Sequence, residues 1–354
     1  MKDIKKHNGI IGLWKFLFCL MIIIYHGRFF TKGHPLLYKG SIGVEFFFIV
    51  SGFLMARSAL KKNENENISK DTFNYIWKKY KTFIPYSIIG GILCLAILNY
   101  YTNLNCYKNI SSFIETFLLS MSGIKCYSIN RPIWYLSSML IGMSILYPLL
   151  KKYKEKIIYT VLPLVILFGF AYINQNKLNY RNPDTWINFT YVGNIRAIIE
   201  LSLGSIVYLL YTKFKEIKFN NFGKFILTII ELIGFIAPFV TAQFVKHYKF
   251  DFIILILLSI SILLAFSEQT LECKILSNKF VNYLEKLSFP LYIFNNPVRI
   301  FITKSNIFTK CSYYEKLALL LSITFIISII IMHSIEYLKK RKILSNIYSK
   351  LIIK

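Results

Sequence analysis

Ten mostly apolar stretches divide the chain, at roughly 9–27, 41–57, 83–102, 133–150, 157–173, 194–212, 225–245, 252–267, 286–303 and 317–338. A helix crosses the hydrocarbon core of a bilayer with about 20 such residues. Inside that core a helix satisfies all its backbone polar groups within its own segment. The pattern predicts an all-α polytopic membrane protein with about ten transmembrane helices, a single domain over residues 1–354. Composition agrees, since only 17% of residues are Lys, Arg, Asp or Glu, against about a quarter in soluble domains. The net charge of +26 would otherwise suggest nucleic acid. No basic stripe or nucleic-acid motif stands outside the loops, so no such partner is expected. Basic loops lying against an anionic leaflet account for the charge and make membrane lipids the surrounding partner. Residues 111–123 are too few to cross and read as an interfacial or re-entrant helix.

The N-terminus has a basic start and an apolar run, as a secretory signal does. However, Tyr25-His26-Gly27 is no small-x-small cleavage site, and Lys15 and His26 interrupt the run. It reads as a retained first span. Counting Lys and Arg by loop puts 27 on the side of the termini and 13 on the other, with Lys15, Arg196 and Arg299 inside spans. Positive charge favours the cytoplasmic side. The expectation is a multi-pass protein of the cell membrane with both termini cytoplasmic, loops 103–132 and 174–193 outside, and the lysine-rich segment 63–82 inside. The six cysteines show no metal-ligand spacing, so no metal is expected. Cys106 and Cys126 share an outer loop, where an oxidising compartment would permit a disulfide; two free thiols fit equally well.

Ionisable groups inside spans are costly unless they pair or face water, which makes each a functional candidate. Eleven residues bring Lys15 and His26 to within about 20° of one face and about 16–17 Å apart along the axis. The first helix therefore carries a cation near its cytoplasmic end and an imidazole near its outer end. A snorkelling lysine and an interfacial histidine are the plainer alternative. Glu45, at the outer end of the second span, is close to His26 in depth, where it can orient the imidazole; a carboxylate solvated at the interface beside a helix contact fits equally well. Gly52 lies about 20° from the direction of Glu45, where another helix can come close. Arg196 and Glu200, four residues apart, can pair on the outer side. Ser288, Tyr292, Asn295 and Arg299 form a polar stripe in the ninth span, which Pro290 and Pro297 kink. On the inner side Lys78, Lys79 and Lys81 serve either topology or a phosphate-bearing ligand.

The segment from Lys15 to His26 has the form basic residue, ten residues, histidine; GSIGVEFFFIVSGFL, KKYKTFIP, RPIWYLSSMLI, NIRAIIELSLG and SFPLYIFNNPV follow it. In that order they resemble acyltransferase family 3, integral-membrane enzymes of about ten spans that O-acylate carbohydrates. The resemblance implies transfer of an acyl group, usually acetyl, from cytoplasmic acyl-CoA to a hydroxyl of an extracytoplasmic or lipid-linked carbohydrate. It implies acetyl-CoA or another acyl-CoA as donor, with its phosphates on Lys15, Lys79 and Lys81. It makes His26 the general base or a transient acyl carrier, with Glu45 orienting it. Trp134, Arg196, Glu200, Tyr292 and Asn295 would shape the acceptor site. Two positions depart from the family pattern. Thr82 stands where a second arginine is usual, and Asn295 stands where a histidine is common, so that site hydrogen-bonds without titrating.

Many members of that family carry a fused extracytoplasmic domain after the last span. This chain ends at Lys354, and a stand-alone enzyme is expected. Two rival readings remain open at the level of sequence. Ten spans with buried charges also suit a secondary transporter or flippase of a sugar-lipid or anionic substrate, and Thr82 and Asn295 suit a catalytically degenerate assembly partner.

Overall fold

The computed structural model describes residues 8–61, 67–102, 104–118, 129–176, 182–245, 251–271, 276 and 278–340. The described helices are α1 (Gly9–His26), α2 (Gly43–Ala59), α3 (Ile68–Thr102), α4 (Cys106–Phe117), α5 (Ile133–Tyr153), α6 (Glu155–Gln175), α7 (Val192–Phe214), α8 (Asn221–Phe244), α9 (Asp251–Ser267), α10 (Lys279–Lys304) and α11 (Tyr313–Lys340). A two-residue ladder, β1 (Trp186–Ile187) with β2 (Thr190–Tyr191), leads into α7. The chain is an all-α polytopic membrane protein.

Each apolar stretch of the sequence falls in a helix. Eight of these helices are long and apolar enough to cross a bilayer, namely α3, α5, α6, α7, α8 and α11, with α1 and α2 each counted together with the adjoining 3-10 turn as Gly9–Phe30 and Gly40–Ala59. Helix α9, at 17 residues, is shorter, and α10 carries Asn295, Asn296 and Arg299 in its C-terminal half. The expected ten crossings are therefore not reached on this criterion. Lipid-facing positions are apolar, as Leu167 and Phe168 of α6, Ile233 of α8 and Ile330 of α11 illustrate by their exposure.

The lysine-rich segment corrects one expectation. From Ile68 onward it is not a loop, because α3 begins there and runs 35 residues through Pro85. The Asn67 side chain accepts from the Lys70 amide at 3.1 Å, and Tyr75, Ile76 and Tyr80 pack on the main apolar core. Those contacts continue the helix beyond the stretch that hydropathy detects. Helix α4 also starts earlier than expected, because Asn105 caps it through the Lys108 amide at 2.9 Å. Its Ile110, Phe113, Ile114 and Phe117 are exposed, which suits a helix lying in a membrane interface.

Two packing arrangements position the functional groups. Helices α2 and α7 cross closely through Gly52 and Gly204. A Cβ on Gly204 would lie 2.8 Å from the Phe53 amide nitrogen and 2.9 Å from the Gly52 Cα. Helices α1 and α10 run parallel and in register. Lys15 meets Glu285 at 2.6 Å, the Cys19 thiol donates to the Ser288 carbonyl at 3.0 Å, and His26 meets Asn295 at 2.6 Å. The polar stripe of α10 thus faces the bundle interior.

Candidate functional site

His26 is the last residue of α1, just before a 3-10 turn at Gly27–Phe30. Its Nδ1 is 2.6 Å from the Asn295 Oδ1. The Asn295 amide nitrogen donates back to the carbonyls of Leu291 and Tyr292, which fixes Oδ1 as the atom turned to the ring. An amide oxygen can only accept, so Nδ1 carries a proton and, in the neutral ring, Nε2 keeps a lone pair. That tautomer is the one a general base needs.

Glu45, expected from the sequence to orient His26, has a different partner. Glu45 pairs with the Arg196 Nη2, while Glu200 pairs with the Arg196 Nε at 2.9 Å. All three side chains are essentially inaccessible. A desolvated carboxylate gains far more from a guanidinium than from a neutral imidazole. Close approach at Gly52 and Gly204 brings α2 near enough for the pair to form. The i, i+4 pairing of Arg196 with Glu200 is present as expected. Arg196 also lies 5.7 Å from the centre of the Trp134 ring, so the triad holds that indole as well.

A cavity opens at this end of the bundle. It is lined by His26, Trp134, Arg196 and Tyr292 among the sequence candidates, and also by Arg28, Arg131, Asn182, Asn296 and Arg299. Tyr292 donates its hydroxyl to the Pro132 carbonyl at 3.0 Å, and Asn130 donates to the Ile293 carbonyl at 3.2 Å. Those bonds anchor the turn that carries Arg131. The ladder ahead of α7, with the Gly193 amide donating to the Pro183 carbonyl at 3.1 Å, brings in the opposite rim. Glu200 and Asn295 do not line the cavity; they act on residues that do.

The opposite end holds the lysines. Lys15 pairs with Glu285, and Lys79 lies within electrostatic reach of Lys15 and Lys78. Lys79 sits over Tyr75 and Lys81 over Trp77. Two residues on one helix differ by about 200°, so Lys81 points to another side and does not join Lys15 and Lys79. Thr82 is exposed and donates to the Lys78 carbonyl. Among the described residues no group of His, Cys, Asp and Glu could hold a metal. Cys106 is exposed and free, and its expected partner Cys126 lies outside the described residues.

The sequence reading passed over Arg28, Arg131 and Asn296 and used Arg299 only as part of the stripe. The signal was available, because Arg28 and Arg131 stand on the side that the charge bias leaves poor in positive residues and Arg299 lies inside a span. A family model described as an acyltransferase domain matches residues 8–336. No curated protein and no solved structure gives a significant match.

Proposed function

The chain belongs to this acyltransferase family, and from that premise we propose that it moves an acyl group, acetyl in the first instance, from cytoplasmic acyl-CoA to a carbohydrate hydroxyl on the outer side of the cell membrane. The observation that carries the reading is the His26 tautomer, locked by Asn295 beside a polar cavity. A neutral Nε2 takes the proton of an acceptor hydroxyl as its oxygen attacks the thioester carbonyl. The C–S bond breaks as the ester C–O bond forms, and the imidazolium returns its proton to the departing thiolate. Asn295 keeps the ring in register for both transfers.

Glu45 does not orient the histidine directly in this scheme. With Glu200 it fixes Arg196 and Trp134 in the cavity wall, so the wall is preorganised before substrate arrives. Lys15 and Lys79 supply cationic charge for the CoA phosphates at the other end, as point charges. The separation of about 16–17 Å between Lys15 and His26 along α1 lets an extended pantetheine arm span the distance while its phosphates stay inside.

The test is transfer of radiolabelled acetyl from acetyl-CoA to glycan by the purified chain in lipid nanodiscs, read as alkali-labile label. An ester formed by the unaltered chain and lost in His26→Ala is the expected result. Label that accumulates across proteoliposomes without any new ester would replace the enzyme by a transporter.

A further inference from the structure

The cavity that holds His26 is unusual in its charge. Arg28, Arg131, Arg196 and Arg299 all line it, and among the described residues no Asp or Glu does. Arg196 is neutralised from behind by Glu45 and Glu200. Arg28 and Arg299 are not, because neither has a carboxylate partner among the described residues. Arg299 instead donates from Nε and Nη2 to the Asn296 Oδ1 at 3.3 and 2.8 Å. Both guanidinium groups lean on the same ring, Phe29, at 5.2 Å for Arg28 and 4.3 Å for Arg299, and Arg28 also covers Tyr25 at 4.2 Å. Aromatic faces hold cations in place without cancelling their charge.

Convergent like charges repel, and this cost is usually offset by an anion between them. The CoA phosphates do not fill that role in the proposed scheme, since they belong with Lys15 and Lys79 at the far end of α1. The charge next to His26 is therefore available to the other substrate. We infer that Arg28 and Arg299, with Arg131 at the rim, form an oxyanion subsite for the acceptor, which is accordingly an acidic carbohydrate bearing a carboxylate or a phosphate. The inference rests on the acyltransferase reading and narrows its substrate class. The fork of Arg299, already oriented by Asn296, offers remaining N–H groups for a bidentate contact. An acceptor anchored there is positioned so that a neighbouring hydroxyl reaches the imidazole from the same cavity.

Binding to the full chain in nanodiscs separates the possibilities, with methyl glucuronide, glucose 1-phosphate and methyl glucoside as matched probes. At least one anion is expected to bind about tenfold or more tightly than the neutral glucoside, as charge-assisted hydrogen bonds allow. A preference for the glucuronide identifies a carboxylate, and one for the phosphate ester identifies a phosphate. The Arg28→Gln/Arg299→Gln double variant is expected to bring the ratio close to one, while Arg28→Lys/Arg299→Lys retains most of it. Equal affinity for all three probes, or an unchanged ratio in the double Gln variant, overturns the subsite. Displacement of the bound anion by desulfo-CoA overturns its assignment to the acceptor. Should the double variant not accumulate, the unaltered chain decides: a preference that does not weaken with salt overturns the subsite. Acetyl transfer to the same probes tells the two claims apart. Anion preference without transfer removes the enzyme and leaves the subsite, whereas equal transfer to neutral and acidic sugars removes the subsite and leaves the enzyme.

Discussion

At the scale of single residues, the site depends on which partner each buried polar group obtains. His26 gains an amide oxygen from Asn295, and Glu45 gains a guanidinium. The sequence made His26 and Glu45 visible because both interrupt apolar runs. Their separation in azimuth was not visible, since depth in a membrane follows from span position and rotation about the helix axis does not. Replacing His26 by Ala removes the proposed base, and a loss of about 10²–10⁴-fold in kcat is expected. Asn295→Ala leaves the ring free to change tautomer, so kcat should fall while KM for the acceptor stays nearly constant. Asn295→His restores an acceptor for the Nδ1 proton and should recover activity over Asn295→Ala. A KM effect equal in size to the kcat effect would show that Asn295 acts on binding instead. The triad makes a separate prediction about stability. Arg196→Gln leaves two buried carboxylates without their cation and should cost about 3–5 kcal/mol. Glu45→Gln leaves one carboxylate still paired and should cost less. Thermal unfolding in detergent ranks the two, and the reverse order would mean that the triad is not the stabilising unit.

At the scale of elements, the helices themselves were legible and their lengths were not always so. A span of about 20 apolar residues is imposed by the bilayer, and each such stretch in the sequence is helical in the structure. The first four turns or so of α3 carry Asp71, Lys78, Lys79 and Lys81 among aromatics, a mixture that hydropathy alone reads as loop. What extends the helix is tertiary, as when Lys151 of α5 pairs with Asp71 at 3.2 Å and Tyr75 stacks on Tyr147 with ring centres 4.3 Å apart. Gly52 was legible as a point of close approach, but its partner Gly204 was not assigned, because a single sequence does not say which helix approaches. That crossing yields a sharp test. A Cβ at Gly204 meets backbone of Ile49, Gly52 and Phe53, and backbone in a packed helix cannot move aside as a side chain can. Gly204→Ala should destabilise the protein by about 1–3 kcal/mol, the usual range for overpacking. Gly33→Ala is the control, with only the Thr31 hydroxyl at 3.5 Å from the added carbon, and should be nearly neutral. Equal melting temperatures for the two variants would show that α2 and α7 are not clamped at this point.

At the scale of the whole molecule, the parallel alignment of α1 and α10 sets the arrangement of charge. Lys15 with Glu285 lies at one end of the pair and His26 with Asn295 at the other, so the two ends present different chemistry to the two sides of a membrane. The net charge of +26 does not distinguish these uses, since most of it serves topology. With the termini cytoplasmic, as the charge count predicts, the arginines beside His26 run against the positive-inside bias, and a charge placed against that bias needs another reason to be there. The proposed reaction requires a definite orientation, with the cavity outside and Lys79 inside. Asn182 lines the cavity and is exposed, while Phe222, near the start of α8, is exposed at the opposite end. Between them α7 runs from Val192 to Phe214, about 35 Å at 1.5 Å per residue, which is enough to cross the hydrocarbon core. In a background with every cysteine replaced, Asn182→Cys should react with a membrane-impermeant maleimide on intact cells. Phe222→Cys should react only after permeabilisation. Modification at Asn182 places a bulky group at the mouth of the cavity, so acetyl transfer should fall in parallel with labelling, and modification at Phe222 should leave transfer unchanged. Labelling of Phe222→Cys on intact cells would invert the molecule and put His26 on the same side as the cytoplasmic donor, in which case no acyl group need cross the membrane at all.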